Sequence, residues 1–138
     1  MSPRTKALTF SAAVYAVSLF CPVFDFEQGH SGFLLGFVCL LFGFGEIAWF
    51  ANPVFFAGLL AFRLRKDLLA GTLAAIAVAI AMTTIRITEV PKNEGGQMTN
   101  IQGFGPGFYL WVTSMVILLV VAGRHGLKTP PTLVPSGN

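Results

Sequence analysis

Four long apolar runs leave this chain few ways to fold. They are Ala7 to Phe24, Phe33 to Phe62, Leu68 to Ile85 and Pro106 to Ala122. Each reaches or approaches the roughly 20 residues a helix needs to cross about 30 Å of hydrocarbon. Charged residues make up 11% of the 138 residues and mean hydropathy is +0.73, whereas soluble domains carry about 25% charge. That is too little charge to solvate the surface of a soluble domain this size. Unpaired backbone groups are too costly in lipid, which leaves helices or a closed barrel. None of the runs alternates with period two, so a barrel is disfavoured. The expected fold is all-α: a polytopic membrane protein with four transmembrane helices in one antiparallel bundle.

The charges set an orientation. Arg4 and Lys6 precede the first run, Arg63, Arg65 and Lys66 separate the second from the third, and Arg124 and Lys128 follow the fourth. With an even number of crossings all three clusters fall on one side, which the positive-inside rule makes cytoplasmic. The opposite loops, "DFEQGHSG" and "TEVPKNEGGQMTN", are acidic or mixed. Both termini are therefore expected inside. The net charge of +3 and pI near 9.2 belong to these flanks and do not form a nucleic-acid patch. Residues 1–123 form the expected membrane domain, and 124–138, ending "TPPTLVPSGN", a polar cytoplasmic tail. The first run is read as a retained helix. No small-x-small cleavage pattern follows it, and Phe20 before Cys21 does not fit a lipoprotein signal.

The second run, about 30 residues, would be roughly 45 Å long as a straight helix. It must tilt steeply, or break with Phe33 to Phe44 forming a shallow or re-entrant piece. Gly43, Gly45, Asn52 and Pro53 place the kink or break between Gly43 and Pro53. Pro53 removes a donor and crowds the Trp49 carbonyl, and the Asn52 side chain is positioned to serve the groups this frees. Glu46 lies in the same stretch. Counting back from the short "RLRKD" turn puts it level with Thr84 and near Arg86 on the next helix. An intramembrane acid usually faces the bundle and finds a partner, so a Glu46–Arg86 pair or a Glu46–Thr84 hydrogen bond is expected. A proton- or cation-handling role for Glu46 is the alternative.

Three further patterns concern packing and partners. Gly71, Ala75 and Ala79 give the third helix small-xxx-small spacing, with Ala70, Ala74, Ala77 and Ala81 beside them. The reading is a packing hub or a dimerisation face. Phe108, Tyr109 and Trp111, with Trp49, are expected to form an interfacial aromatic belt or a partner surface. Gly32 and Gly36 form a GxxxG, a weak packing signal alone. Cys21 and Cys39 lack the C-x-x-C pairing of thiol oxidoreductases; they are read as buried thiols, with a stapling disulfide as the alternative. His30 and His125 fall on opposite sides and cannot share a metal. No catalytic constellation, metal site or cofactor motif is found.

At "AWFANP" and "GFYLWVTSM" the chain resembles a set of small bacterial four-helix inner-membrane proteins with no assigned activity. These pair an A-W-x-A-N-P element with an aromatic-L-W-x-x-S element. Ala48, Trp49, Ala51, Asn52 and Pro53 fill the first, and Tyr109, Leu110, Trp111 and Ser114 the second. The resemblance implies a bacterial inner-membrane location and carries no activity; Glu46 lies outside it. Two function classes remain. One is a non-enzymatic accessory or interaction protein, either a small complex subunit or an immunity-type protein, with a membrane protein partner or a second copy. The other is a small oligomeric transporter or channel using Glu46 and Asn52.

Overall fold

The computed structural model describes residues 1–26, 34–42, 45–91 and 98–127. His30, Gly32, Gly43 and the tail from Lys128 onward lie outside the described residues. The described chain is mostly helical, with helices α1 (Pro3–Ser18), α2 (Gly36–Phe42), α3 (Ala51–Arg63), α4 (Asp67–Ala81) and α5 (Pro106–Gly126). Two 3₁₀ turns, Ile47–Phe50 and Met82–Arg86, precede α3 and continue α4. Two helical stretches, Asp67–Arg86 and Pro106–Gly126, are long and apolar enough to cross a membrane. Helix α1 and the stretch Ile47–Arg63 are shorter, so four full-length spans exceed what the helix lengths establish.

Local chemistry sets the helix starts. Ser2 caps α1, its hydroxyl accepting from the Thr5 N–H at 3.2 Å, with Pro3 in the first turn where its missing donor is harmless. Pro106 likewise occupies the first turn of α5, but Gly105 before it offers no side-chain cap. The second apolar run is broken rather than continuous: α2 ends at Phe42 and a 3₁₀ turn leads into α3. Pro53 is the third residue of α3, in the first turn after the 3₁₀ segment and downstream of the break.

Helix α4 is the hub, packed between α3 and α5, while α1 packs on α5. The face of α4 that does this is Ala70, Ala74, Ala77 and Ala81, all fully buried. The expected stripe of Gly71, Ala75 and Ala79 is corrected. Gly71 is half-buried, and a side chain added there would only come into ordinary contact with Ala122 at 3.8 Å, while Ala75 and Ala79 are exposed. The helix is small-sided nearly all round, and the large side chains of its neighbours select the buried face. Phe55 and Phe62 on α3, and Met115 and Leu118 on α5, are essentially fully buried; against these rings and branched chains a face of alanines packs closely.

One end of the bundle is basic and tightly clasped. The Arg4 guanidinium donates to the Phe62 carbonyl (Nε, 2.9 Å), pairs with Asp67 and lies 4.1 Å over the Phe62 ring. It thus serves the C-terminus of α3 and the N-terminal acid of α4 together. The turn between them is a Schellman motif. Lys66 N–H donates to the Ala61 carbonyl at 2.9 Å and Arg65 N–H to that of Phe62 at 3.1 Å. Arg65 takes the left-handed conformation (φ 61°) that such caps require. The Phe62 and His125 rings, 5.6 Å apart, bring the last turn of α5 to the same end.

The other end carries a small antiparallel sheet that the apolar periodicity does not announce. Strands β1 (Pro22–Phe26), β2 (Leu34–Leu35), β3 (Glu89–Pro91) and β4 (Met98–Phe104) lie in the order β2-β1-β4-β3. Phe24 pairs with Phe104 and Glu89 with Asn100. The close of the first apolar run is therefore a strand. Pro22 cannot continue α1, and Val23 and Phe24 instead pack on Phe108 of α5. A side chain at Gly107 would stand 2.6 Å from the Cys21 carbonyl, so glycine is what lets α5 start against β1.

Candidate functional site

Besides the Arg4 clasp, polar groups of the described residues gather in a closed node inside the bundle and in an open groove at the sheet end. Asn52, the second residue of α3, is at the centre of the node and is 7% exposed. Its Nδ2 donates to the Trp49 carbonyl at 3.0 Å, the acceptor that Pro53, lacking an N–H, leaves without its helical donor. Its Oδ1 accepts from the Tyr15 hydroxyl at 3.0 Å and from Trp111 Nε1 at 2.8 Å. Both acceptor sites and one amide hydrogen are thereby used. One side chain ties α1, α3 and α5, while α4 contributes only alanines to its buried face.

The node continues along α5. Ser114 donates to the Trp111 carbonyl at 2.6 Å, and Ser11 of α1 donates to the Ser114 carbonyl at 2.8 Å. Asn52 of the first short element therefore meets Trp111 of the second, although 59 residues separate them in sequence. Trp49 turns its ring elsewhere, donating from Nε1 to the Leu40 carbonyl at 2.7 Å and so holding the end of α2.

This geometry revises the aromatic belt. Phe108 is buried against Val23 and Phe24, and Trp111 points into the bundle; Tyr109 alone of the three on α5 is exposed. Phe108 and Trp111 are three residues apart and share a helix face that Tyr109 does not. Tyr15 is the functional residue that the sequence reading missed. Its signal is a lone hydroxyl-bearing ring in an apolar helix, which when buried usually finds a partner.

The groove lies where the two 3₁₀ turns meet β3. Glu46, Ile47, Ala48, Thr83, Arg86, Ile87, Thr88 and Glu89 line a cavity of about 340 Å³. Glu46 and Arg86 thus share one surface, at the level the residue count gives. The expected ion pair is corrected, because no nitrogen–oxygen approach within 4.0 Å joins them. The expected bond to Thr84 is also absent, and the Thr84 hydroxyl is buried without a hydrogen-bond partner. The reason is position: Glu46 precedes a short 3₁₀ turn at the bundle end and is exposed, as is Arg86. Exposed charges are solvated separately and gain little by closing on each other.

Cys21 and Cys39 are free thiols. Among the described residues, no group of three or more His, Cys, Asp or Glu side chains is gathered to hold a metal. Compared with known proteins, the chain matches no protein family, no curated protein and no solved structure.

Proposed function

We propose that this protein is a non-enzymatic accessory protein of a bacterial inner membrane, one that binds a protein partner in or on the bilayer. It acts as a small complex subunit or an immunity-type protein. The reading takes α1, the stretch Ile47–Arg63, α4 with its 3₁₀ extension, and α5 as four crossings with the basic end in the cytoplasm. Two apolar helices of spanning length and the gathering of basic residues at one end support it. So does the resemblance to small bacterial inner-membrane proteins.

The observation that carries the choice of class is the closed state of Asn52. Conduction needs polar groups free to meet water or a solute along a path. Asn52 is committed to Tyr15, Trp111 and the Trp49 carbonyl. Glu46 opens into a groove that does not include Asn52. Both facts weigh against the alternative, a small oligomeric transporter or channel using Glu46 and Asn52.

Extraction from the native host in mild detergent, followed by size exclusion and identification of co-eluting chains, tests the reading. A stoichiometric protein partner is expected. Elution without a partner, together with solute or ion flux in proteoliposomes, overturns it. Reporter fusions after Ser31 and Gly95 are expected to read periplasmic, and fusions after Lys66 and Lys128 cytoplasmic. A cytoplasmic signal at either of the first two overturns the four-crossing topology.

A further inference from the structure

Three charged side chains of both signs line the groove at the sheet end, and among the described residues none is paired. Glu46, Arg86 and Glu89 line it together with Thr83 and Thr88. Among the described residues, none of the three charges makes an ion pair or side-chain hydrogen bond. They come from separate segments: the residue before one 3₁₀ turn, the end of the other, and strand β3. The cavity, about 340 Å³, falls at the small end of ligand sites, which run from about 300 to 1,000 Å³. The same two 3₁₀ turns also present exposed apolar side chains, Ile47 and Phe50 on one and Met82 and Ile85 on the other. A mixed-charge groove beside an exposed apolar strip matches an amphiphile with a zwitterionic head.

We propose that this groove binds the headgroup of a phosphoethanolamine-class phospholipid. Arg86 holds the phosphate, Glu46 and Glu89 hold the ammonium, and the acyl chains lie on the apolar strip. A guanidinium fork matches phosphate oxygens, and carboxylates accept from an ammonium that still carries N–H donors. A choline head lacks those donors, and a glycerol head lacks the cation. The proposal rests on the membrane reading above, since only a bilayer presents such a ligand to the apolar strip.

The test uses the full chain, purified in detergent, stripped of lipid and titrated by native mass spectrometry. The probes are phosphatidylethanolamine, phosphatidylcholine and phosphatidylglycerol with matched acyl chains, and free phosphoethanolamine. Phosphatidylethanolamine is expected to bind about tenfold more tightly than the other two lipids, the scale of one charge-assisted hydrogen bond. Arg86→Gln should weaken all three lipids about tenfold, since each carries the phosphate, and leave their order unchanged. Glu46→Gln with Glu89→Gln should bring phosphatidylethanolamine down to the level of phosphatidylglycerol. These side chains are exposed, so circular dichroism should show both variants folded. Equal binding of the three lipids overturns the proposal, as does a preference that survives Glu46→Gln with Glu89→Gln, or binding of all three that Arg86→Gln leaves unchanged. Free phosphoethanolamine binding as tightly as the lipid overturns the lipid assignment in favour of a soluble zwitterion. A chain that stays monomeric in solution after detergent removal overturns the membrane reading instead, which separates the two failures.

Discussion

Replacing Asn52 with leucine, which has the same branching and number of heavy atoms, removes three hydrogen bonds at once and leaves their partners in the interior. The Tyr15 hydroxyl and Trp111 Nε1 lose their shared acceptor, and the Trp49 carbonyl loses the amide that stands in for the missing Pro53 donor. Side-chain hydrogen bonds between membrane helices average about 0.6 kcal/mol and reach about 1.7 kcal/mol. A buried polar group left without any partner costs about 1–3 kcal/mol. Tyr15 is 4% exposed, so water is a poor substitute at its hydroxyl. The Asn52→Leu variant is therefore expected to lose about 2–4 kcal/mol of stability. Reversible unfolding in mixed micelles, followed by far-UV circular dichroism, measures it. Tyr15→Phe alone should lose about 0.6–1.7 kcal/mol. Combined with Asn52→Leu it should add almost nothing, because the bond is already gone and the orphaned hydroxyl is removed. Additive losses, or a neutral Asn52→Leu, would refute the node as a stabilising junction of three helices.

Two other perturbations follow from the packing. Arg65→Gly should stabilise the fold by about 0.5–1 kcal/mol, since residue 65 holds φ at 61° and only glycine does so without strain; a loss in the same unfolding assay would contradict the Schellman cap. Ala74→Leu should overpack the interface of α4 with its neighbours and destabilise by about 1–3 kcal/mol, whereas Ala75→Leu on the exposed side should stay within about 0.5 kcal/mol. Equal losses at the two positions would mean that the exposed stripe is also packed, as against a second copy of the chain.

The sequence by itself determines the features that depend on local chemistry and on amounts. Long apolar runs with few charges impose mostly helical structure. The segment from Gly43 to Pro53 cannot continue a helix unaided, and α2 and α3 are indeed separate there. The proline also announces the need for a substitute donor, which Asn52 supplies. Helix starts at Ser2-Pro3 and Gly105-Pro106 are equally local.

Tertiary structure decides whatever depends on which distant surface a residue meets. Helix α4 offers two small-residue stripes offset by one residue, and nothing within it ranks Ala70-Ala74-Ala77-Ala81 above Gly71-Ala75-Ala79. The rings and branched chains of α3 and α5 make that choice. Val23 and Phe24 read as the end of a helical run until β4, some 80 residues later in the chain, supplies a ladder for them. The partners of Asn52 lie 37 residues before it and 59 after it. Trp111 is an anchor by composition and a hydrogen-bond donor by position. Counting along two antiparallel helices brings Glu46 to the level of Arg86 but cannot say whether they touch, because that depends on how exposed the end of the bundle is. There the charges stand apart, in a groove shaped by two 3₁₀ turns and a strand edge, elements too short to leave a periodic trace in the sequence.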